Sequence, residues 1–511
     1  MTNNKNLRPN IKMISNRYGV NRTIAGGMGI IHLCEDTQQD NFPVALKTFN
    51  PKYLANRNVR AQFLREAAIW VELGWHPNIV QAYRAEYIPA TRELYIVLEQ
   101  LPSPDGKADP SLRAWLTPGR TASIEEALKL ILGVTRGMKY ATTKFPGLVH
   151  CDLKPDNIYL SEDGSARVGD FGLVMVPADI LHNLGCDGPS DQLIRSSASG
   201  TPLYMSPEQW ISRKVSISSD IYSLGCICLE MLTGGYTIRG RQMRNIAEEH
   251  IRGGALKRVD EANLPEALKA FLTKCLRPNS LQRFQSWESV EQEIIKLYDG
   301  LLHQTIEPED ILMDVSQKTQ LRIGESILAI GESYLDMHEH QAAINCFQKA
   351  RAIGKLQKSH ALAASAETNI GLAFFKCGQY ERAVAHYQRA IVYHLESGNP
   401  GEAHLNYGNV GNAYFRMGDY GRAQENITKV LHYTKLISDK KVKEFWKANL
   451  KNAIVNSGNK KMALEYFLYT LEVEQKFTDE TQSVNLLDLL DRFVSSIGET
   501  KNHTILFSKH E

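Results

Sequence analysis

The stretch HCDLKPDNIYL, residues 150–160, decides how the first half of the chain folds, and a DFG motif begins at Asp170. Three polar side chains, Asp152, Lys154 and Asn157, lie within six positions of one another. Phosphoryl transfer needs cations that hold the phosphates, oxygen ligands that hold the cations, and a group that orients the incoming hydroxyl. Carboxylate and amide oxygens suit Mg²⁺, which indicates Asn157 and Asp170 as metal ligands. Asp152 then remains as the base, and Lys154 can neutralise charge on the phosphate.

The length and composition of the chain indicate a multidomain globular protein. Its 511 residues are too many for one ordinary hydrophobic core. At roughly 100–200 residues per domain, we expect two to four domains. Hydrophobic residues make up 43% and charged residues 23%, which is typical of soluble proteins. The formal net charge of +2 offers no basic excess to neutralise phosphates, so we expect no nucleic-acid partner.

We expect no membrane span, signal peptide or disulfide framework. No apolar run approaches the ~18 residues that a bilayer span needs, and the longest, 221–232, is short enough to be a core helix. The N-terminal residues lack the apolar core of a secretory signal. The eight cysteines are scattered without a CxxC pair, which favours buried thiols in a reducing cytoplasm.

Strand-like and helical stretches alternate in the first 300 residues, but not evenly. The pattern predicts a strand, a turn and a strand over 23–36, strands over 43–49 and 94–101, and a helix over 56–73. Beyond these, helices dominate, and we expect them at 124–143, 219–233, 241–252, 264–276 and 286–303. A β-rich opening followed by a helical body predicts two lobes that join near residue 101.

The chain after residue 310 repeats itself with a period of 40 residues. Segments 331–350, 371–390 and 411–430 align without gaps, and 451–470 is a weaker fourth copy. A small residue near the start of a helix and a glycine in the preceding turn recur at Ala343, Ala383, Ala423, Ala463, Gly378, Gly418 and Gly458. A turn of this kind needs a left-handed residue. A generic bundle has no reason to keep small and large residues in phase, so we expect stacked helical hairpins.

These hairpins resemble the tetratricopeptide family, in which a Gly, an aromatic residue three positions later and an Ala recur. The aromatic positions here are Tyr334, Phe374 and Tyr414, and a second aromatic follows the Ala at Phe347 and Tyr387. The usual period is about 34 residues, so the longer repeat here implies longer helices. The resemblance implies a concave face that docks a protein or peptide partner.

Four motifs of the first half occur in a fixed order: VALK at 44–47, HCDLKPDN at 150–157, DFG at 170–172 and GTPLYMSPE at 200–208. In this order and spacing they resemble the eukaryotic-type serine/threonine protein kinase family, in the form common in bacteria. The resemblance covers residues 18 to about 300. It implies an α+β bilobal kinase fold, with a β-rich N-lobe and a helical C-lobe, followed by the all-α tetratricopeptide-like solenoid.

The resemblance also implies roles for the charged residues. Lys47 would anchor the α- and β-phosphates of ATP, and Glu66, in FLREA, would pair with it. The implied catalytic residues are Asp152, Lys154, Lys47 and Glu66, and the implied ligands of Mg²⁺, or alternatively of Mn²⁺, are Asn157 and Asp170. The competing interpretations are a helix surface charge for Glu66 and turn capping for the loop residues.

The implied nucleotide-binding residues are Ile24, Gly26, Gly27, Gly29, Ile31, Ala45, Lys47, Leu98, Glu99, Leu101 and Tyr159. Ile24 stands where the family has its first loop glycine, whereas Gly26 and Gly29 still let the backbone approach phosphates closely. A simple hairpin turn is the competing interpretation of this loop.

Adenine would lie between Ile31 and Ala45 on one side and Tyr159 on the other. Backbone groups of Glu99 and Leu101 would form its hydrogen bonds, and Leu98 would close the rear of the pocket. Ordinary core packing is the alternative explanation for these apolar positions.

Several further residues match the family's structural supports. Glu208 and Arg283 resemble the ion pair that braces the lower lobe, and Asp220 resembles the residue that holds the catalytic loop through backbone N–H groups. We expect His150 to be a core histidine. Cys151 replaces the arginine that in most members binds a phosphorylated activation loop, so switching by loop phosphorylation loses its main electrostatic partner.

The expected domain organisation has five parts. They are an N-terminal extension, 1–17; a kinase domain, 18–303, divided into lobes 18–101 and 102–303; a linker, 304–310; the repeats, 311–480; and a capping helix and tail, 481–511.

We expect an ATP-dependent kinase that phosphorylates Ser or Thr of protein substrates, because Lys154 and Thr201 favour these acceptors. The main alternative is a pseudokinase scaffold, for which Ile24 and Cys151 are the only support. A small-molecule kinase fits less well because it typically lacks the Lys-Pro pair and the GTPLYMSPE motif. The serines 196, 197 and 199 are either phosphorylation sites or part of a solvated loop.

Overall fold

The computed structural model of the chain describes residues 12–25, 29–49, 57–88, 91, 93–102, 109–117, 119–176, 202–212, 214–240, 242–308, 316–397 and 403–434. The chain divides into two compact units, one comprising Met1–Ile88 and Arg92–Ser333 and the other comprising Pro89–Thr91 and Tyr334–Glu511. Gly26, Gly27, Thr201, the three loop serines and the fourth repeat copy lie outside the described residues.

The first unit begins with a six-stranded antiparallel sheet. Its strands are β1 Met13–Ile14, β2 Tyr18–Ala25, β3 Gly29–Asp36, β4 Phe42–Phe49, β5 Ala82–Ile88 and β6 Glu93–Glu99, in the spatial order β1-β2-β3-β4-β6-β5. The strands predicted within 23–36, 43–49 and 94–101 are confirmed as β2, β3, β4 and β6. β1 and β5 were not predicted. β1 lies in the segment expected to be an extension, and it pairs with β2 through Met13 and Gly19.

The sheet forms because the inward-facing side chains of its strands are apolar. One cluster of buried residues joins all six strands and consists of Ile14, Tyr18, Cys34, Val44, Leu46, Ile88, Tyr95 and Val97. The helix predicted over 56–73 is confirmed as α1, Arg57–Leu73, which packs on β5. Its inner face buries Leu64, Ala67 and Trp70, residues three or four apart that share one side of a helix.

The remainder of the first unit is mostly helical. Its helices are α2 Leu112–Trp115, α3 Ile124–Lys144, α4 Pro207–Ile211, α5 Ile217–Thr233, α6 Met243–Ile251, α7 Gly254–Glu261, α8 Glu266–Cys275 and α9 Trp287–Leu297. The five predicted helices are confirmed as α3, α5, α6, α8 and α9. A capping box between Ser123 and Glu126 begins α3, where it satisfies backbone N–H groups of the first turn.

The apolar run at 221–232 forms most of α5 and is buried from Ile221 to Met231, as expected of a core helix. None of the helices in the described ranges is long and apolar enough to cross a membrane. A short hairpin lies between α3 and α4, formed by β7 Ile158–Leu160 and β8 Ala166–Val168, with Tyr159 directly opposite Arg167. These strands are three residues long, too short for an alternating pattern to reveal them.

The repeats are helical hairpins, as predicted. The helices are α10 Gln317–Asp336, α11 His340–Leu356, α12 His360–Lys376, α13 Tyr380–Glu396, α14 Ala403–Met417 and α15 Tyr420–Thr434, and from α11 onward each packs on the next. Ala343, Ala383 and Ala423 are fully buried. The turn residues Gly378 and Gly418 have φ values of +74° and +81°, the left-handed conformation that favours glycine.

Candidate active site

Lys47 is the central cation of a partly buried cluster that joins the sheet, α1 and the DFG motif. It lies on β4 opposite Ile31 of β3 and Ile96 of β6, in register with two buried strands. Its Nζ donates to a carboxylate oxygen of Glu66 on α1 and, at 2.7 Å, to Oδ1 of Asp170. The side chains of Lys47 and Glu66 are only 12% and 7% exposed. The predicted ion pair between Lys47 and Glu66 is confirmed.

The charges of this cluster depend on one another. Burial disfavours the Lys47 ammonium, but the carboxylates of Asp170 and Glu66 outweigh burial and raise its pKa. Burial raises the pKa of Glu66 to about 7, with the Lys47 ammonium opposing that shift. Burial also opposes ionisation of Asp170, but the neighbouring ammonium lowers its pKa below the ordinary value. Lys47 and Asp170 are therefore both charged at neutral pH.

Lys154 and Asn157 of HCDLKPDN converge on the carboxylate of Asp152. Asp152 Oδ2 accepts from Lys154 Nζ at 2.8 Å and from Asn157 Nδ2 at 3.1 Å. A single 3₁₀ turn, Pro155–Asn157, brings Asn157 back onto the loop, where its Nδ2 also donates to the Asp152 backbone carbonyl at 2.9 Å. Burial raises the pKa of Asp152, and the Lys154 ammonium opposes the rise.

Asn157 and Asp170 are also tied together through the backbone. The Gly169 N–H donates to the Asn157 carbonyl at 2.9 Å, so the residue preceding Asp170 is held at Asn157. Both hydrogen bonds described for the Asn157 side chain use its amide nitrogen. Its amide oxygen therefore remains as a ligand for a cation. Within the described ranges, no group of three His, Cys, Asp or Glu residues could hold a metal ion. One carboxylate and one amide fit Mg²⁺, which usually takes its other ligands from phosphates and water.

Asp220, at the start of α5, holds the loop that carries Asp152. Its two oxygens accept the backbone N–H groups of His150 at 2.7 Å and Cys151 at 2.9 Å. Cys151 has φ = +65°, a strained conformation for a residue with a Cβ, which these two bonds help to maintain. The predicted support by Asp220 is confirmed.

His150 is part of a row of three tilted rings that the sequence motifs do not reveal. It is fully buried, as predicted, and burial lowers its pKa to about 4, so its ring is neutral at pH 7. The His150 ring lies 5.1 Å from that of Phe171, which lies 5.6 Å from that of Trp70 on α1. Trp70 could have been found from the sequence, because it follows Glu66 by one helical turn and shares its face.

Most of the residues expected around adenine lie on the neighbouring strands β3, β4 and β6, whereas Tyr159 belongs to the β7–β8 hairpin. Ala45 is directly opposite Leu98, and both are buried. The Glu99 N–H donates to the Gln81 carbonyl at 2.9 Å, so a bond from Glu99 to a nucleotide would use its carbonyl. Tyr159 packs so closely on Gly169 that a Cβ at Gly169 would lie 2.8 Å from its ring.

The described part of the glycine loop lies beside Lys47. Ile24, at the end of β2, is 39% exposed and pairs with Ile31. A Cβ built on Gly29 would lie 4.0 Å from Cε of Lys47. The two loop glycines between these positions, Gly26 and Gly27, lie outside the described residues.

Glu208 and Arg283 form the predicted brace of the lower lobe. Arg283 Nη1 and Nη2 donate to the two carboxylate oxygens at 2.8 and 2.9 Å, a bidentate pair in which the arginine side chain is fully buried. The Ser219 hydroxyl donates to the same carboxylate at 2.6 Å, which ties this pair to α5.

Comparison with known proteins identifies the families to which the two parts of the chain are similar. The family described as "Protein kinase domain" matches residues 20–295, and two families described as "Tetratricopeptide repeat" match residues 324–392 and 406–433. A probable serine/threonine-protein kinase of Streptomyces coelicolor is 29% identical over 57% of this chain and 41% of its own length. Serine/threonine-protein kinase PknB of Mycobacterium tuberculosis is 28% identical over 56% and 44%, and PrkC of Bacillus subtilis is 29% identical over 57% and 42%.

The matching region thus covers less than half of the length of each of these relatives. The kinase family match, however, spans more than half of the 511 residues and includes Lys47, Glu66, Asp152, Asn157 and Asp170. The chain therefore belongs to the protein kinase family, with tetratricopeptide repeats after its kinase domain.

Proposed function

We propose that this chain is an ATP-dependent kinase that transfers the γ-phosphate to Ser or Thr hydroxyls of proteins. The observation that carries the proposal is that Lys47 contacts two carboxylates, that of Glu66 and, at 2.7 Å, that of Asp170. A lysine held in this way between a sheet, a helix and a loop presents a fixed cation to phosphates. The names of the relatives, all serine/threonine-protein kinases, support the choice of acceptor.

In this proposal each charged residue has one task. Lys47 binds the α- and β-phosphates, and Glu66 orients Lys47. Asn157 and Asp170 hold Mg²⁺, with Mn²⁺ as the alternative, and the bound cation would neutralise charge on the phosphates. Asp152 orients the substrate hydroxyl and accepts its proton. Lys154, 2.8 Å from Asp152 Oδ2, is placed to balance charge on the transferred group.

The nucleotide base would be held by backbone and apolar groups. We propose that Ile24, Gly26, Gly27 and Gly29 cover the phosphates, and that Ile31, Ala45, Leu98 and Tyr159 enclose adenine. The Glu99 carbonyl and the Leu101 N–H would form its hydrogen bonds. The opposed positions of Ala45 and Leu98 on adjacent strands support this arrangement.

The test is transfer of label from [γ-³²P]ATP to a serine-containing protein mixture by full-length enzyme. We expect Asp152→Asn to lower the rate at least about 10³-fold, because catalysis loses its base, while nucleotide affinity changes little. Glu162→Gln, an exposed carboxylate in the β7–β8 turn, is the control and should keep the wild-type rate. Equal labelling by wild type and Asp152→Asn would favour the pseudokinase scaffold.

We also propose that the repeats bind a protein or peptide along a concave face and that the chain works in the cytoplasm. We keep the domain boundaries expected from the sequence as part of this proposal. They are 18–303 for the kinase domain, 304–310 for the linker, 311–480 for the repeats and 481–511 for the capping helix and tail. The cysteines described in the structure are all free thiols, which fits a reducing compartment. Cell fractionation would test the location, and peptide-array binding to the full chain would test docking.

A further inference from the structure

The side chain of Glu99 connects the strand expected to bind adenine with the lower lobe. Its Oε1 accepts the backbone N–H of Gln81 at 2.6 Å, while its own backbone N–H donates to the Gln81 carbonyl at 2.9 Å. Its Oε2 accepts from Arg167 Nη1 at 2.6 Å. One carboxylate therefore joins the end of β6, the residue before β5, and strand β8. We call Glu99 and Arg167 the hinge bracket.

Arg167 is held on the other side by the hairpin that carries Tyr159. Its Nε donates to Ser161 Oγ at 2.7 Å, so the guanidinium is fixed at two points. Arg167 is directly opposite Tyr159 in the β7–β8 pair, and directly opposite residues project from the same face. The Arg167 end of the hinge bracket therefore lies beside Tyr159, whose ring we propose to pack on adenine.

The bracket is more than a surface ion pair. Glu99 and Arg167 are only 15% and 24% exposed, and every bond described above is 2.9 Å or shorter. Charge-assisted bonds of this kind are stronger than neutral ones, and poor access of water increases their strength. A backbone hydrogen bond lies beside the bracket, because the Val80 N–H donates to the Val168 carbonyl at 2.8 Å. Separating β6 from the β7–β8 hairpin would therefore break the bond between Glu99 and Arg167.

We propose that Glu99 and Arg167 are positioning residues for the nucleotide, which determine its affinity by fixing the spacing between strand β6 and Tyr159. The proposal rests on the proposed kinase function. Adenine contacts exist equally in the ground state and in the transition state of phosphoryl transfer. Loss of the bracket should therefore weaken ATP binding and leave kcat nearly unchanged.

The experiment is a double-mutant cycle in the full chain with Glu99→Gln, Arg167→Gln and the double variant. Glutamine at position 99 keeps an acceptor for Gln81, so only the charge pair is lost. We expect each single variant to raise the Kd for fluorescent ATP analogue with Mg²⁺ about fivefold, and the double variant to raise it no further. Arg167→Lys, which keeps the charge, should recover part of the affinity.

The control is Arg258→Gln, which removes an ion pair in the lower lobe, between Arg258 and Glu249 at 3.2 Å, whose arginine is 17% exposed and so about as buried as Arg167. Its Kd should equal that of wild type. The proposal fails if the bracket variants bind ATP as tightly as wild type, if the two single effects add in the double variant, or if kcat falls at constant Kd. If wild type itself bound no ATP, the proposed function would fail instead. If Glu99→Gln does not fold, the two Arg167 variants still decide the outcome.

Discussion

Asp152 shows how much of the chemistry depends on the immediate surroundings of one side chain. Its carboxylate is 11% exposed, and burial raises its pKa above the ordinary value of about 3.9. Lys154, 2.8 Å away, opposes the rise because its ammonium stabilises the carboxylate. A base must be ionised to accept a proton, so these two effects together determine the pH below which the proposed enzyme loses activity.

We predict that kcat/KM falls as pH decreases through the raised pKa of Asp152, and that Lys154→Met moves this acidic limb to higher pH. The sign follows from the loss of a cation that favours the ionised carboxylate. The same substitution should lower kcat about 10²-fold at the optimum, because a donor to the transferred phosphate is removed. Rates measured across pH at saturating and limiting substrate would separate the two effects.

Glu162→Gln serves as the control for the pH series and should reproduce the wild-type profile. An acidic limb that stays in place, or that moves to lower pH, in Lys154→Met would show that Lys154 does not stabilise the Asp152 carboxylate.

At the scale of elements, the repeats show why a glycine recurs every 40 residues. A Cβ on Gly371 of α12 would lie 2.7 Å from the Tyr387 ring on α13, and a Cβ on Gly411 of α14 would lie 2.6 Å from Ile427 on α15. Contacts between non-bonded carbon atoms normally lie near 3.5–4.0 Å. The glycine therefore permits the two helices of each hairpin to approach closely, and the large residue opposite fills the space.

We predict that Gly371→Ala destabilises the α12–α13 hairpin by about 1–3 kcal/mol, the usual cost of overpacking. Gly421→Ala in α15 is the matched control: the nearest contact of its Cβ would be an ordinary 3.8 Å, so higher helix propensity should stabilise that helix slightly. Thermal melting of the full chain followed by far-UV circular dichroism would compare the variants. A Gly371→Ala chain that melts at or above the wild-type temperature would contradict the close-packing explanation.

At the scale of the whole molecule, the chain links a kinase domain to a repeat array within one polypeptide. The boundary between the two compact units falls within α10, between Ser333 and Tyr334, so no long spacer separates them in sequence. Covalent linkage converts capture of a substrate by one unit into a high local concentration for the other. The gain applies only to proteins that the repeats bind.

We predict that truncation after Asp336, at the end of α10, leaves phosphorylation of a short serine peptide unchanged but slows phosphorylation of docked proteins about 10²-fold. Quantitative phosphoproteomics of cells carrying the full or the truncated chain would identify those proteins. ATP binding by the truncated chain must first match that of wild type, to establish that its kinase domain is intact. A phosphoproteome that does not change on truncation would rule out recruitment by the repeats.

Much of this protein could be predicted from local sequence. VALK lies on a buried strand, FLREA on a helix and HCDLKPDN on a loop because apolar spacing and turn residues act over a few positions. The in-phase Ala and Gly residues of the repeats likewise predicted hairpins, because each copy must bury the same face against its neighbour.

Only the tertiary structure decided which distant residues meet. Lys47 and Asp170 are 123 positions apart, and Glu99 and Arg167 are 68 apart, so no local period relates them. The edge strands β1 and β5, the contacts among the rings of Trp70, Phe171 and His150, and the hinge bracket all depend on contacts between segments that are far apart in the sequence. The physical reason is that secondary structure follows from neighbours along the chain, whereas packing and charge pairing follow from neighbours in space.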